Sequence, residues 1–440
     1  MNVSSIELTH FRNYEKLKIN IQPGFNVFYG FNAQGKTNIL EAVYLCACAR
    51  SHRTSRDTDM IMSGFTDYAV KIAFSCDGRH EETIEIQYLD ADPKDARRTR
   101  PQRLVYHDGV RLDRISEMMG LFHAVIFAPE DLMLIKEGPA TRRRYLDLLL
   151  SQVRPSYFQD LQLFNRLLMQ RNRLLKDFRS NLFQRGKGEL NADELMQIET
   201  WDLALAGSMT RLIRRRQEYA VRIGLIAANA HENISSGKEK LSVKYKTVAG
   251  IRPESSEQDV LGIILSKLKN NLYEDIEKGT TGIGPHRDDL EIGLDGDHLK
   301  PFASQGQQRS AVLSLKLAEL EIIRRDTGEL PVLLLDDVMS ELDVIRRQSL
   351  LEGIEQAQVL ITCTDRQQVG RQFGLTDRHH QAEGLLQAEG DHQAEDYKQI
   401  IDYHQKEGHN KVEDEPSDVR PFTFFEVDSA TVRLDPASDM

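Results

Sequence analysis

Residues 30–37 read Gly30-Phe31-Asn32-Ala33-Gln34-Gly35-Lys36-Thr37, which fits the pattern G-x-x-x-x-G-K-[ST]. The glycines allow a tight loop whose backbone N–H groups face phosphate oxygens. Lys36 is placed to reach the β- and γ-phosphates, and Thr37 to ligate Mg²⁺. The N-terminus of a following helix adds a favourable dipole. By residue frequencies the pattern arises by chance in on the order of one or two of a hundred chains this long, so its context has to decide. Residues 25–30, FNVFYG, form a short apolar run ending at a glycine and read as the strand leading in. A helix is expected from Lys36 to about Ala49. Gly30 through Asn38 are therefore the expected ATP-binding segment.

Such a loop needs a carboxylate, at the end of a buried strand, to hold hydrated Mg²⁺. Val332-Leu333-Leu334-Leu335-Asp336-Asp337 supplies one. Asp336 is expected in the metal shell with Thr37, and Asp337 to orient or deprotonate the attacking water. Lys36, Asp336 and Asp337 are thus the expected catalytic residues. The long separation of the two motifs is where ABC-type ATPases insert their variable domain. Ser304-Gln305-Gly306-Gln307 resembles the S-G-G-Q core of the ABC signature, with Gln305 replacing one glycine. It sits at the start of an expected helix from about Ser304 to Arg325, where hydroxyl and N–H groups suit a γ-phosphate. Ser340-Glu341-Leu342-Asp343 follows as a D-loop.

Outward from these motifs, SIELTHFRNY, LKINIQ, YAVKIAFSC and ETIEIQYLD alternate as strands, and HAVIFAPEDLMLI is a strand that breaks at Pro129. From about Thr141 the spacing becomes helical. One apolar stripe runs from Tyr157 to Phe178 and another from Ile198 to Ile226, joined by a turn at Arg185-Gly186-Lys187-Gly188. Two stripes so joined point to an antiparallel helical arm. The expected fold class is α/β, an ABC-type P-loop ATPase domain with an inserted, mainly α-helical arm or lid. Its expected divisions are 1–135 (P-loop lobe), 136–275 (arm), 276–374 (signature, Walker B and D-loop), 375–418 (acidic insertion) and 419–440 (terminal strand and tail).

Composition narrows the function class. The 440 residues are 40% hydrophobic, enough for a sizeable core. No run approaches the ~20 apolar residues of a membrane span, and the first residues lack signal-peptide character. Four cysteines, two of them the C-x-C pair Cys46 and Cys48 in an apolar run, fit buried packing in a reducing, cytoplasmic compartment. The net charge of −11 is uneven: 16 acidic and 6 basic residues follow Leu375, which leaves the rest at −1. A near-neutral body of that kind is compatible with a local basic groove for DNA.

HFRNY (His10–Tyr14), GFNAQGKTNILEA, SHRTSRD (Ser51–Asp57), FAPEDLMLIKEGPATRRRYLD (Phe127–Asp147), GPHRDDLEI (Gly284–Ile292), SQGQQRS and LLLDDVMSELD occur in this order. In these motifs the chain resembles the RecF family of bacterial recombination-repair ATPases, relatives of SMC proteins, over about residues 1–374 and the final strand. The resemblance implies a cytoplasmic, nucleoid-associated protein that binds double-stranded and gapped DNA. It also implies an ATP-dependent homodimer that works with RecO and RecR in RecA loading and hydrolyses ATP slowly. By the same resemblance Lys36, Thr37, Asp336 and Asp337 serve their own subunit's nucleotide. Ser304, Gly306 and Gln307 would act on the partner's nucleotide, with Asp343 in the D-loop at the interface.

Three departures point to slow turnover. No glutamine occupies Phe127–Asp131, no histidine occupies Thr362-Cys363-Thr364, and Asp337 is shorter than the usual glutamate. Basic clusters at Arg50, Arg53 and Arg56, at Arg97, Arg98, Arg100 and Arg103, at Arg142–Arg144 and at Arg214–Arg216 are candidates for sequence-independent DNA contact. The alternative is an ABC-type ATPase subunit of another assembly, a transporter or an SMC-like clamp. A transporter subunit usually carries the Gln and His sensors missing here, and a full clamp needs far longer arms.

Overall fold

The computed structural model describes residues 1–76, 80–91, 99–185, 189–298, 303–340, 342–353, 356–366 and 422–435. From the N-terminus run β1 (Asn2–Phe11), β2 (Tyr14–Asn20), β3 (Phe25–Tyr29), α1 (Lys36–Cys48), β4 (Asp67–Ser75), β5 (Glu82–Leu89), β6 (Gln102–His107), β7 (Val110–Arg111) and β8 (Ala124–Phe127). Four helices follow: α2 (Met133–Lys136), α3 (Pro139–Val153), α4 (Pro155–Arg185) and α5 (Ala192–Ser235). Then come β9 (Leu241–Lys246), α6 (Glu257–Asn270), α7 (Leu272–Lys278), β10 (Asp289–Leu294) and β11 (Asp297–His298). The last elements are α8 (Gln305–Thr327), β12 (Val332–Asp336), α9 (Val344–Gly353), β13 (Val359–Cys363), β14 (Phe422–Asp428) and β15 (Thr431–Leu434).

The central sheet has the order β15-β14-β3-β13-β12-β8, and every pair from β14 to β8 is parallel. Its inner strands β3, β13, β12 and β8 are buried on both faces, which is why they read as largely apolar runs. In β12, Val332 and Leu334 join the core shared with α1 and the antiparallel sheet β2-β1-β4-β5-β6-β7. Leu333 and Leu335 point the other way, into the core built by α3, α5 and α8. Because the strands are parallel, the ends of β3, β12 and β13 lie on one edge, where ligands bind in open α/β sheets.

In the arm, α4 and α5 are antiparallel. Their contacts step in opposite senses along the two chains: Arg211 to Asp160 at 2.8 Å, Arg171 to Asp202 at 2.5 Å, Asn181 to Glu194 at 3.3 Å. Both apolar stripes face inward, with Tyr157, Phe164, Leu175 and Phe178 buried on α4 and Ile198, Leu205, Leu212 and Tyr219 buried on α5. At about 1.5 Å per residue, the 44 residues of α5 span roughly 65 Å, far short of an SMC coiled coil.

The terminal segment is a hairpin rather than one strand: β14 pairs with β3 and turns at Ser429-Ala430 into β15. Within the stretch expected to be mainly helical, β9 pairs with β10, beyond the expected division at residue 276. Cys46 and Cys48 are buried in α1, where burial pushes the Cys48 thiol up to about 12. The turn at Gly186–Gly188 and the insertion 375–418 lie outside the described residues.

Candidate nucleotide site

The loop after β3 adopts left-handed backbone at Gly30 (φ 148°), Ala33 (φ 66°) and Gly35 (φ 117°). Two of these positions also have no room for a side chain. A Cβ on Gly30 would lie 2.2 Å from the Val427 carbonyl oxygen of β14. A Cβ on Gly35 would lie 2.6 Å from Asn13 Nδ2 and 2.7 Å from the Tyr14 hydroxyl. Gly35 is the N-cap of α1 and makes no side-chain cap, and Asn38 N donates to its carbonyl at 2.9 Å, so the N–H groups of Lys36 and Thr37 are left for an anion. Lys36 folds over the loop, donating from Nζ to the carbonyls of Gly30 (2.6 Å) and Phe31 (3.0 Å). Burial lowers its pKa, with Asp337, Cys363 and Asp336 pulling the other way.

Thr37 and Asp336, 299 residues apart, meet under the loop: Thr37 Oγ1 donates to Asp336 Oδ1 at 2.8 Å. The neighbouring strand supplies a link that the sequence reading missed. Thr362 donates from Oγ1 to the same Asp336 oxygen at 2.7 Å and accepts from Asp337 N at 3.0 Å. One threonine on β13 thus fixes both carboxylate-bearing residues, with Asp337 bent into left-handed backbone (φ 51°). A hydroxyl and a carboxylate this close, beside a phosphate-type loop, are the hard oxygen donors that suit Mg²⁺.

Asn13 donates to the Gln34 carbonyl (2.9 Å) and accepts from Asn38 (2.8 Å), whose side-chain oxygen accepts from Arg53 (3.0 Å). The terminal hairpin closes the other side. Ser429 N donates to Gln34 Oε1 at 2.5 Å, and Tyr29 and Arg366 both donate to Asp435, at 2.9 and 2.8 Å. Beneath the loop Glu41 of α1 is fully buried and bonded twice by Arg12 (2.6 and 2.9 Å), with Ser51 and Arg53 also on it. The motifs HFRNY and SHRTSRD therefore converge on one buried carboxylate under the loop, a long-range pairing that no local pattern announces.

Ser304, Gly306 and Gln307 lie elsewhere. Ser304 is the exposed N-cap of α8, its Oγ accepting from Gln307 N (3.2 Å) while Gln307 Oε1 accepts from Ser304 N (2.8 Å). Among the described residues that hydroxyl's own proton is uncommitted. Arg346 of α9 donates to the Gly306 carbonyl (2.9 Å) and to Ser310 Oγ (2.9 Å), and pairs with Asp343, which caps α9 through Arg346 N (2.9 Å). The D-loop end and the signature turn are thereby tied together, yet none of these bonds reaches the phosphate loop of the same chain. Of the D-loop, Glu341 lies outside the described residues. Phe31 is 83% exposed at the loop's crest.

Several arginines of the basic clusters that the sequence offers for DNA make internal bonds among the described residues. Arg142 forks onto Asp289 (2.8 and 2.9 Å), Arg143 donates to the Asp288 carbonyl (2.7 Å) and Arg144 to the Ser51 carbonyl (2.5 Å). Arg216 is buried on Asp147 (2.7 Å) and the Pro285 carbonyl (2.7 Å). Arg103 holds the Ala49 carbonyl at 2.5 Å and pairs with Asp57. Arg97 and Arg98 lie outside the described residues. Arg50, Arg56 and Arg100 are exposed and make no side-chain ion pair among the described residues.

Residues 2–384 match the RecF/RecN/SMC N terminal domain. The DNA replication and repair protein RecF of Acetivibrio thermocellus is 42% identical over 378 residues, 85% of this chain and 96% of that protein. RecF of Ruminiclostridium cellulolyticum is 39% identical over 371 residues, 84% of this chain and 94% of that protein. A solved structure of the recombination mediator protein RecF with ATP, in the RecFOR pathway, has a TM-score of 0.77 at 31% identity, covering 98% of this chain and 97% of that one. The fold is that of an ABC-type ATPase, and with two curated relatives matched over nearly their whole length the chain belongs to the RecF family of DNA replication and repair proteins.

Proposed function

We propose that this chain is an ATP-dependent DNA-binding protein of recombinational repair, which dimerises on ATP, binds duplex DNA near single-strand gaps and helps RecA loading with RecO and RecR. The observation that carries the reading is the split between its two halves. Thr37 and Asp336 are hydrogen-bonded under the phosphate loop, while Ser304, whose hydroxyl proton is uncommitted among the described residues, lies on an exposed turn bonded to α8, α9 and Glu239. A second copy would bring that turn over the first copy's loop, so that ATP cements the pair.

Within one subunit, Gly30 through Asn38 cradle the phosphates, and Lys36 exchanges its two carbonyl partners for phosphate oxygens. Thr37 and Asp336 would hold Mg²⁺, which would supply neutralising charge at the phosphates. Asp337 orients the attacking water. Across the interface Ser304, Gly306 and Gln307 meet the partner's γ-phosphate, with Asp343 alongside. Hydrolysis removes that contact and releases the dimer.

The activity is a weak, DNA-stimulated ATPase, because Asp337 is a short carboxylate and the switch position Thr362-Cys363-Thr364 holds no histidine. A steady-state rate near about 100 per second, high within the ordinary enzyme range, would contradict this. The protein works in the cytoplasm on the nucleoid; no helix of the described residues is long and apolar enough to cross a membrane. Among the described arginines of the basic clusters, Arg50, Arg56 and Arg100, exposed and without a side-chain ion pair, are the first candidates for phosphate contact. Fluorescence anisotropy with duplex DNA across a salt series tests the reading. Binding that requires ATP, ignores sequence and falls steeply with salt is expected; binding indifferent to ATP would overturn it.

A further inference from the structure

The signature turn is fastened to the root of the helical arm by a chain of three side chains. Gln307 has both ends of its amide committed: Oε1 accepts from Ser304 N at 2.8 Å, and Nε2 donates to Glu239 Oε1 at 3.0 Å. Glu239 sits in the turn between α5 and β9. That turn is pinned beside it by reciprocal bonds, Lys240 N to Asp295 Oδ1 at 2.8 Å and Asp295 N to the Lys240 carbonyl at 2.9 Å. The other carboxylate oxygen of Glu239 meets His231 Nε2 at 3.1 Å, and His231, fully buried on α5, meets Ser314 Oγ of α8 through Nδ1 at 3.2 Å. Ser314 gives its own proton to the Ser310 carbonyl at 2.8 Å, so its oxygen can only accept. The imidazole thus bridges Ser314 of α8 and the Glu239 carboxylate.

A carboxylate beside a turn meant to meet a γ-phosphate is unfavourable by charge. Two features offset this here: the imidazole against one oxygen of Glu239, and the use of the other oxygen to aim the Gln307 amide. We propose that Glu239, held by His231, is a positioning residue for the signature. Through Gln307 it fixes the Ser304 N–H and hydroxyl, so the contact made across the dimer depends on where the arm's root holds Glu239. The inference rests on the cross-subunit reading of Ser304 and Gln307 given above.

The test uses the full chain and the variants Glu239→Ala, Glu239→Gln, Gln307→Ala and the double Glu239→Ala/Gln307→Ala. ATP-driven dimerisation is read by sedimentation, and binding of a fluorescent ATP analogue by the isolated subunit is read in parallel. Glu239→Ala is expected to weaken dimerisation about tenfold, the scale of one charge-assisted hydrogen bond. Glu239→Gln, which can still accept from Gln307, should stay near wild type, and subunit nucleotide binding should not change. The double variant should be no worse than Gln307→Ala alone, as coupled residues require. In the monomer, hydrogen exchange across Ser304–Gln308 should quicken in Glu239→Ala and remain slow in Glu239→Gln. Multiplying losses, or a wild-type Glu239→Ala beside an impaired Gln307→Ala, would overturn this proposal alone. A wild-type Gln307→Ala would remove the cross-subunit reading and this one with it.

Discussion

Thr362 stands between the two carboxylates of the site, giving its proton to Asp336 and accepting from the backbone of Asp337. Thr362→Val keeps the shape and removes both bonds, leaving a backbone N–H without its partner at a cost of about 1–3 kcal/mol. ATP affinity should change little, since the loop is untouched, while kcat falls as Asp337 loses its placement. Equal kcat in both proteins would show that Asp337 needs no such support. Gly30 carries a second residue-scale prediction. Its φ and the 2.2 Å approach of the Val427 carbonyl leave no place for a methyl group, so Gly30→Ala should lose nucleotide binding and lower the melting temperature together. The sequence made Gly30, Lys36, Thr37 and Asp336 legible because phosphate and metal chemistry dictates residue type at short spacing. It did not reveal Thr362, Asn13 or Ser429, whose roles arise from strand neighbours far away in the chain.

At the scale of elements, the same limit explains the arginines. Arg142–Arg144 on α3 read as a basic run, yet Arg142 closes on Asp289, 147 residues on, and Arg143 on the Asp288 carbonyl. The three neighbours on α5 differ sharply: Arg214 and Arg215 are exposed, whereas Arg216 is buried on Asp147 and Tyr157. Arg216→Ala empties the buried guanidinium site and leaves the half-buried Asp147 with only the Tyr157 hydroxyl, and should cost roughly 3 kcal/mol in urea denaturation. Arg215→Ala, removing an exposed pair with Glu218, should cost under about 1 kcal/mol. Comparable losses in the two would contradict this division. Helix and strand periods were readable in α4, α5 and β12, whose stripes and runs meet their cores as expected. The hairpin β14–β15 was readable only as strand; its hold on the phosphate loop through Gln34 depends on a turn whose partner precedes it by almost 400 residues.

At the scale of the whole molecule, two buried histidines tie stability to pH. Burial lowers His52 and His123 from 6.5 to about 4. Between those values the unfolded chain binds protons that the folded chain refuses, so stability is complete above pH 6.5 and declines as pH falls towards about 4. The melting temperature should drop from pH 7.5 to pH 5.5, and His123→Gln should make the drop shallower. A flat profile would mean that neither ring resists protonation in the fold. The larger claim concerns assembly, because the loop with its carboxylates and the signature turn occupy separate places in one chain. Sedimentation with ATP, Mg²⁺ and duplex DNA, for wild type, Lys36→Arg and Ser304→Arg, tests it most directly. Wild type and Lys36→Arg are predicted to dimerise and Ser304→Arg to remain a monomer that still binds nucleotide. Three monomers hydrolysing ATP at equal rates would contradict the account and leave a self-contained P-loop enzyme in its place.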